Sequence, residues 1–142
     1  MKGELASVQA SCLVHLTEDR QRVARALQAL LGAAVPPDAE ELQGHHGNGI
    51  VKLTFHLTGA DADAALKRVL AGLAPGAREQ LVASVPELVD EHSALYFRLD
   101  KQSLFGGGAT LGGREPVRVK VKPRLFLMKG GAPDFYRRLL GG

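Results

Sequence analysis

Residues 117–122 read Val-Arg-Val-Lys-Val-Lys. Three valines alternate with three cations. A period of two fits an extended strand, whose successive side chains point to opposite faces. Val117, Val119 and Val121 therefore face a core, and Arg118, Lys120 and Lys122 face away from it. A chain that holds such a strand needs a sheet with one apolar face and one charged face. Pro123 follows. It has no N–H to give to a ladder, so it suggests an edge strand or the end of pairing. The cations step by about 6.8 Å along the strand, two residues at roughly 3.4 Å each. That is close to a single-strand phosphate spacing, so the row could track a nucleic-acid backbone. The equally concrete alternative is that cations on an edge strand keep sheets from pairing edge to edge.

The rest of the chain supplies partners for this strand. Ser7–Thr17 alternates Val8, Ala10, Cys12, Val14 and Leu16 with more polar residues, which predicts a half-buried strand. Thr17 is placed to cap a helix, with Glu18 and Asp19 in its first turn. That helix carries Val23, Ala26, Leu27, Leu30 and Leu31 on one stripe and stops at Gly32. Pro36 and Pro37 mark a loop. A short strand is expected over Glu40–Gln43, then a Gly-His turn, then a strand burying Val51, Leu53, Phe55 and Leu57. Asp61–Leu73 reads as an amphipathic helix with Leu66, Val69, Leu70 and Leu73 inside. Another helix is expected from Ala77 to about Ser84, with Pro86 starting a further turn. In the next strand Leu95, Phe97 and Leu99 share one face, and Tyr96, Arg98 and Asp100 the other. Asp100 then caps a short turn through Lys101 and Gln102. The glycine-rich run at 106–108 reads as a mobile loop. Residues 132–142 suggest a short terminal helix, with Pro133 near its first turn and Gly141 past its end.

Strands and helices are mixed without regular βαβ repeats. The expected fold is α+β: a two-layer sandwich, a mostly antiparallel sheet of about five strands with helices on one face. At 142 residues one domain is expected. Its core spans 7–124, and 125–142 form a basic C-terminal extension. Charge is uneven. Residues 1–110 hold 10 Lys+Arg against 13 Asp+Glu, whereas residues 111–142 hold 8 against 2. A basic end on a near-neutral body suggests a polyanion contact or a solvated tail. The single cysteine, Cys12, excludes an internal disulfide and a cysteine-rich zinc site, and its apolar setting predicts an inert thiol. No apolar run approaches the ~20 residues of a membrane span. The first ten residues lack a signal peptide's apolar stretch, so a cytoplasmic protein is expected.

Three stretches carry candidate chemistry. The first is Leu42–Ile50, with His45 and His46 between glycines and Asn48-Gly49 after them. A zinc site there would need further ligands, with Glu40, Glu41 and His15 or His56 nearest. Catalysis would need a nucleophile and an orienting group that no motif supplies. A tight turn between strands explains the glycines and asparagine. The imidazoles and amide could also stack on RNA or hydrogen-bond to it. The second is Tyr96-Phe97-Arg98-Leu99-Asp100-Lys101-Gln102. Here Tyr96 and Arg98 could stack on a base and hold a phosphate, or Arg98 and Asp100 could form a weak surface pair. The third is the basic strand with Arg124 beyond it. The glycine run lacks the Gly-Lys-Ser/Thr of a phosphate loop. No cofactor and no metal is called for.

Three motifs together support a resemblance. Residues 15–32, Leu42–Leu53 with its Gly44-His45-His46-Gly47-Asn48, and Leu95–Gln102 occur in the order seen in a small archaeal family. That family is described as predicted RNA-binding proteins or predicted exosome subunits. With residues 117–122 the resemblance covers most of residues 7–122. Gly49 departs from it, where a proline is expected, as does the chain after Pro123. The family's fold resembles the large-subunit ribosomal protein that binds 5S rRNA. The resemblance implies a non-catalytic, RNA-binding protein, possible partners being structured, ribosomal or transfer RNA and RNA-processing or exosome proteins. His45, His46, Asn48, Tyr96, Arg98, Lys101, Gln102, Arg118, Lys120, Lys122 and Arg124 are the residues expected to touch RNA. The alternative is a protein-interaction module, for example a homodimer formed through an edge strand.

Overall fold

The computed structural model describes residues 4–43, 49–106, 108–124 and 131–141. His45, His46 and Asn48 lie outside the described residues. The elements run β1 (Leu5–His15), α1 (Arg20–Leu31), β2 (Asp38–Gln43), β3 (Gly49–Thr58), α2 (Gly59–Ala71) and α3 (Ala77–Leu88). They continue with β4 (Leu95–Asp100), a 3-10 helix (Lys101–Phe105), β5 (Pro116–Pro123) and α4 (Ala132–Gly141). The strands form one antiparallel sheet in the order β2-β3-β1-β5-β4, with the four helices packed on it. This is the α+β sandwich that the alternation predicts.

Register turns each strand's apolar set to the same side. Val8 stands between Leu57 and Val121, and Ala10 between Phe55 and Val119. Leu95, Phe97 and Leu99 extend those rows opposite Val121, Val119 and Val117. All of these except Leu57, which is partly buried, are almost fully buried. A sheet apolar on one side must have that side covered, and α2 lies across β1 and β3 while α3 lies on β4. The buried face of α2 begins with Ala62 and Ala65, small side chains that let the helix axis approach the sheet.

Several local expectations change. Strand β5 is hydrogen-bonded on both sides, to β1 and to β4, so it is interior. Pro123 ends its pairing, opposite Leu5, and does not mark an edge. Protection of an exposed edge therefore does not account for Arg118, Lys120 and Lys122, and self-pairing through β5 has no free edge to use. Helix α1 is capped by Asp19, whose carboxylate accepts from the Arg22 N–H at 3.1 Å, rather than by Thr17. Helix α3 runs through Pro86 to Leu88. The glycine-rich segment is pinned just after residue 107. The Ala109 N–H donates to Gly72 O at 2.8 Å, and the Ala74 N–H donates to Ala109 O at 2.8 Å. A Cβ on Gly108 would come within 2.9 Å of the Ala74 Cα, so only glycine permits that approach.

Residues 132–141 do more than extend the chain. Phe135, Tyr136 and Leu140 of α4 join the main core, and α4 packs on α3. The Tyr136 hydroxyl lies 2.6 Å from Ser93 O and 3.2 Å from Val121 O, tying α4 to one end of the β4–β5 pair, where β4 starts and β5 finishes. Arg78 on α3 donates to Leu140 O at 2.6 Å. Tyr136→Phe keeps the ring and removes the donor. It should lower unfolding free energy by about 1–2 kcal/mol. Urea denaturation checks this, and an unchanged midpoint would mean the hydroxyl is not holding α4.

Candidate nucleic-acid interface

The helices cover one face of the sheet, and the other face is built from the remaining side chains of every strand. Three of its rows hold the cations of β4 and β5. Tyr96 lies opposite Lys120, which lies opposite Gln9, and Gln9 opposite His56. Arg98 lies opposite Arg118, then come Ser11 and Thr54. Lys122 lies opposite Ser7, and Ser7 opposite Thr58. A strip of cations on β4 and β5 thus borders mostly uncharged side chains on β1 and β3, where Leu13 lies opposite Lys52 and Lys52 opposite Glu40. Asp38 and Glu40 stand at the far edge, on β2.

Arg98, Arg118 and Lys122 are exposed and Lys120 is half-buried. Among the described residues, none of them forms an ion pair. Arg98 and Arg118 face each other directly across β4 and β5, an arrangement that costs stability when like charges meet. The Lys120 ammonium lies 5.3 Å from the centre of the Tyr96 ring, within cation–π range. Tyr96 is 41% exposed, unusual for a large side chain with no covering partner. Arg124, half-buried past the end of β5, donates its N–H to Glu4 O at 3.1 Å. With Lys120 and Lys122 it lines a groove of about 580 Å³ that Tyr96, Asp90 and His92 also line.

Two of the expected contact residues are placed elsewhere. Lys101 is 1% exposed. Its ammonium reaches Leu13 O at 2.8 Å, Glu18 Oε1 at 2.8 Å and Glu115 Oε2 at 3.2 Å, one acceptor for each of its three protons. No donor is left for RNA. Gln102 is exposed, but on the 3-10 helix, which packs against α1 rather than continuing the strip. The cap at Asp100 is as expected, its carboxylate accepting from the Gln102 N–H at 3.3 Å.

Sequence reasoning missed the partners of Lys101. Glu18 also accepts from the His15 N–H at 2.9 Å, and His15 Nε2 lies 2.9 Å from Glu115. His15, Glu18 and Glu115 bring their ligand atoms within 4.8 Å of one another, but the Lys101 ammonium already bonds both carboxylates. His56, the other histidine considered as a ligand, pairs six residues further along β3 than the partner of His15, about 20 Å away. The two cannot share an ion. Burial pushes the Cys12 thiol up to about 11, which fits an inert buried group.

A family model described as RNA binding matches residues 7–123. The chain belongs to this RNA-binding family. A protein of Pyrococcus abyssi named as RNA-binding is 29% identical over 138 residues, covering 91% of this chain and 90% of that one. A solved structure from Archaeoglobus fulgidus superposes with a TM-score of 0.80 at 29% identity, covering 96% of this chain and 99% of that one. One from Methanothermobacter thermautotrophicus, 24% identical, gives 0.74 over 97% and 99% and shares the fold. The matched RNA-binding relative is archaeal, and RNA binding is the role its name and the family share. No helix among the described residues is long and apolar enough to cross a membrane.

The buried cluster yields a pH test. Burial pushes the Glu18 carboxyl up, but the His15 N–H and Lys101 outweigh it and hold it below its ordinary 4.5. Burial pushes Lys101 down, but Glu18 and Glu115 outweigh it and hold it above 10.5. Glu18 then contributes stability above pH 4.5 that is lost as pH falls through its folded value. Lys101 contributes stability below pH 10.5 that is lost as pH rises through its folded value. Urea midpoints should be flat between these limits and fall on both sides. Lys101→Met should lower the plateau by about 3 kcal/mol, the low end for breaking a buried pair because Glu115 is half exposed. It should also flatten both limbs. An unchanged plateau would contradict the assignment.

Proposed function

We propose that the protein binds RNA, without catalysis, on the uncovered face of its sheet. Arg98, Arg118, Lys120, Lys122 and Arg124 would hold phosphates, and Tyr96 would meet a base. His45, His46 and Asn48 are proposed to add contacts from the loop between β2 and β3. The observation that carries this reading is the cationic strip on the uncovered face of β4 and β5, which forms no ion pair among the described residues. Positive charge without a carboxylate partner, including two arginines set face to face, favours a polyanion as the missing counter-charge. Membership of an RNA-binding family supports RNA as that polyanion.

Structured RNA, including ribosomal or transfer RNA, is the ligand class that the motif resemblance favours. A place beside RNA-processing or degradation proteins, exosome-like assemblies among them, rests on that resemblance alone, as does a cytoplasmic site of action.

Fluorescence anisotropy with a structured RNA, across a salt series, tests the proposal. Affinity should fall steeply with salt, and each phosphate-holding cation removed should reduce the log–log slope by about 0.7–0.9. The combined variant Arg118→Gln, Lys120→Gln, Lys122→Gln should therefore lose about 2–3 in slope. Arg25→Gln with Lys67→Gln, exposed cations on α1 and α2, should leave it unchanged. Equal losses in both sets, or no binding at low salt, would overturn the proposal.

A further inference from the structure

Strand β4 is an edge strand, yet its edge is only partly open. At one end the Asp90 N–H donates to Ala94 O at 2.9 Å, and Val89 bridges Leu95. At the other, the Asp100 N–H donates to Thr110 O at 2.8 Å, the Gly112 N–H donates to Arg98 O at 2.9 Å, and Leu111 bridges Leu99. Between these two clamps the edge is uncovered. Strand alternation sends the N–H of Arg98 and the C=O of Tyr96 to this same edge. The opening lies between Leu95 and Leu99, about 14 Å at roughly 3.4 Å per residue. A typical added strand of five or six residues would collide with both clamps.

A groove of about 860 Å³ opens at this gap, between α3 and β4. Its floor is apolar, including Leu81, Leu88, Phe97 and Leu111, and its mouth carries Tyr96, Arg98 and Arg118. Lys120 lines the neighbouring groove, and Tyr96 lines both. Tyr96, 41% exposed, is the aromatic side chain at this mouth. Two acids line it too. The Asp90 carboxylate is engaged by the His92 and Ala94 N–H groups at 2.9 Å each. Glu87 is exposed and offers an acceptor to a base's exocyclic amino group.

We infer that this groove takes one unpaired RNA base, stacked on Tyr96, with its phosphate on Arg98 and Arg118. The inference rests on the RNA-binding proposal and narrows it to RNA that presents a base outside a helix. A flat ring, an apolar floor, two cations at the mouth and free backbone groups at the rim match the parts of a nucleotide in that order. A base inside a duplex has no free face and cannot enter. An extended peptide would find the clamps in its way and two arginines without a partner.

The test compares a short single-stranded RNA of mixed sequence with the blunt duplex of the same sequence, by anisotropy at fixed salt. Tyr96→Ala should weaken single-strand binding about tenfold, the scale of one lost base–aromatic stack. It should change duplex binding less than about twofold, because duplex contacts are to the phosphate backbone. Tyr96→Phe should keep wild-type affinity for both. A 2-aminopurine placed in the single strand should be quenched by the wild type and not by Tyr96→Ala. If Tyr96→Ala has no effect, or weakens both RNAs equally, the base site is wrong while the cationic strip stands. If the wild type binds neither RNA, both proposals fall.

Discussion

Burial of Val117, Val119 and Val121 against β1 on one side and β4 on the other is the constraint on which the other face depends. Valines at every second position of an interior strand fix which way the intervening side chains point. Arg118, Lys120 and Lys122 have no freedom to turn inward, and the same registers set Tyr96 and Arg98 beside them. A one-residue slip of β5 would drive three cations into the core, so hydrophobic pairing enforces the position of the charge. The interface is thus held by the core rather than by contacts of its own. That explains how two facing arginines are tolerated, because their repulsion acts on a register already fixed by six buried side chains of β4 and β5.

A second fixed point closes the sheet at the opposite end of β4. Lys101 joins the end of β4 to the carbonyl of Leu13 on β1, to Glu18 just before α1, and to Glu115 just before β5. One ammonium therefore ties four segments that meet there. A lysine is suited to this place because three donors on a flexible stem can reach three separate acceptors. Its burial also sorts the positive charge of the chain. Lys101 serves the fold, and the cations of β5 and Arg98 remain available to a ligand.

The α+β sandwich, the inward faces of β1, β3, β4 and β5, and the outward cations were legible because a period of two leaves little choice. What failed was information that period and composition do not hold. Pro123 looked like an edge signal, but sequence does not say which strands lie beside β5. Lys101 sits in a motif that the resemblance places at RNA, yet it is buried. Parity could have corrected that, since it follows Leu95, Phe97 and Leu99 at the same two-residue step. Its partners Glu18 and Glu115 lie far away in sequence, beyond any local rule. The glycine run read as mobile because its anchors, Gly72 and Ala74, sit on another connection. The groove at the β4 edge is invisible to a linear reading, as it forms only where α3, β4, β5 and the connection before β5 pack together.

Mapping amide chemical shifts by NMR while RNA is titrated tests the central claim most directly. The account predicts shifts concentrated on β4 and β5 and on the facing residues of β1, around Tyr96, Arg98, Arg118, Lys120 and Lys122. The exposed surfaces of α1, α2 and α4 should be silent. Shifts centred on the helical layer, with the β5 amides unmoved at saturation, would contradict it.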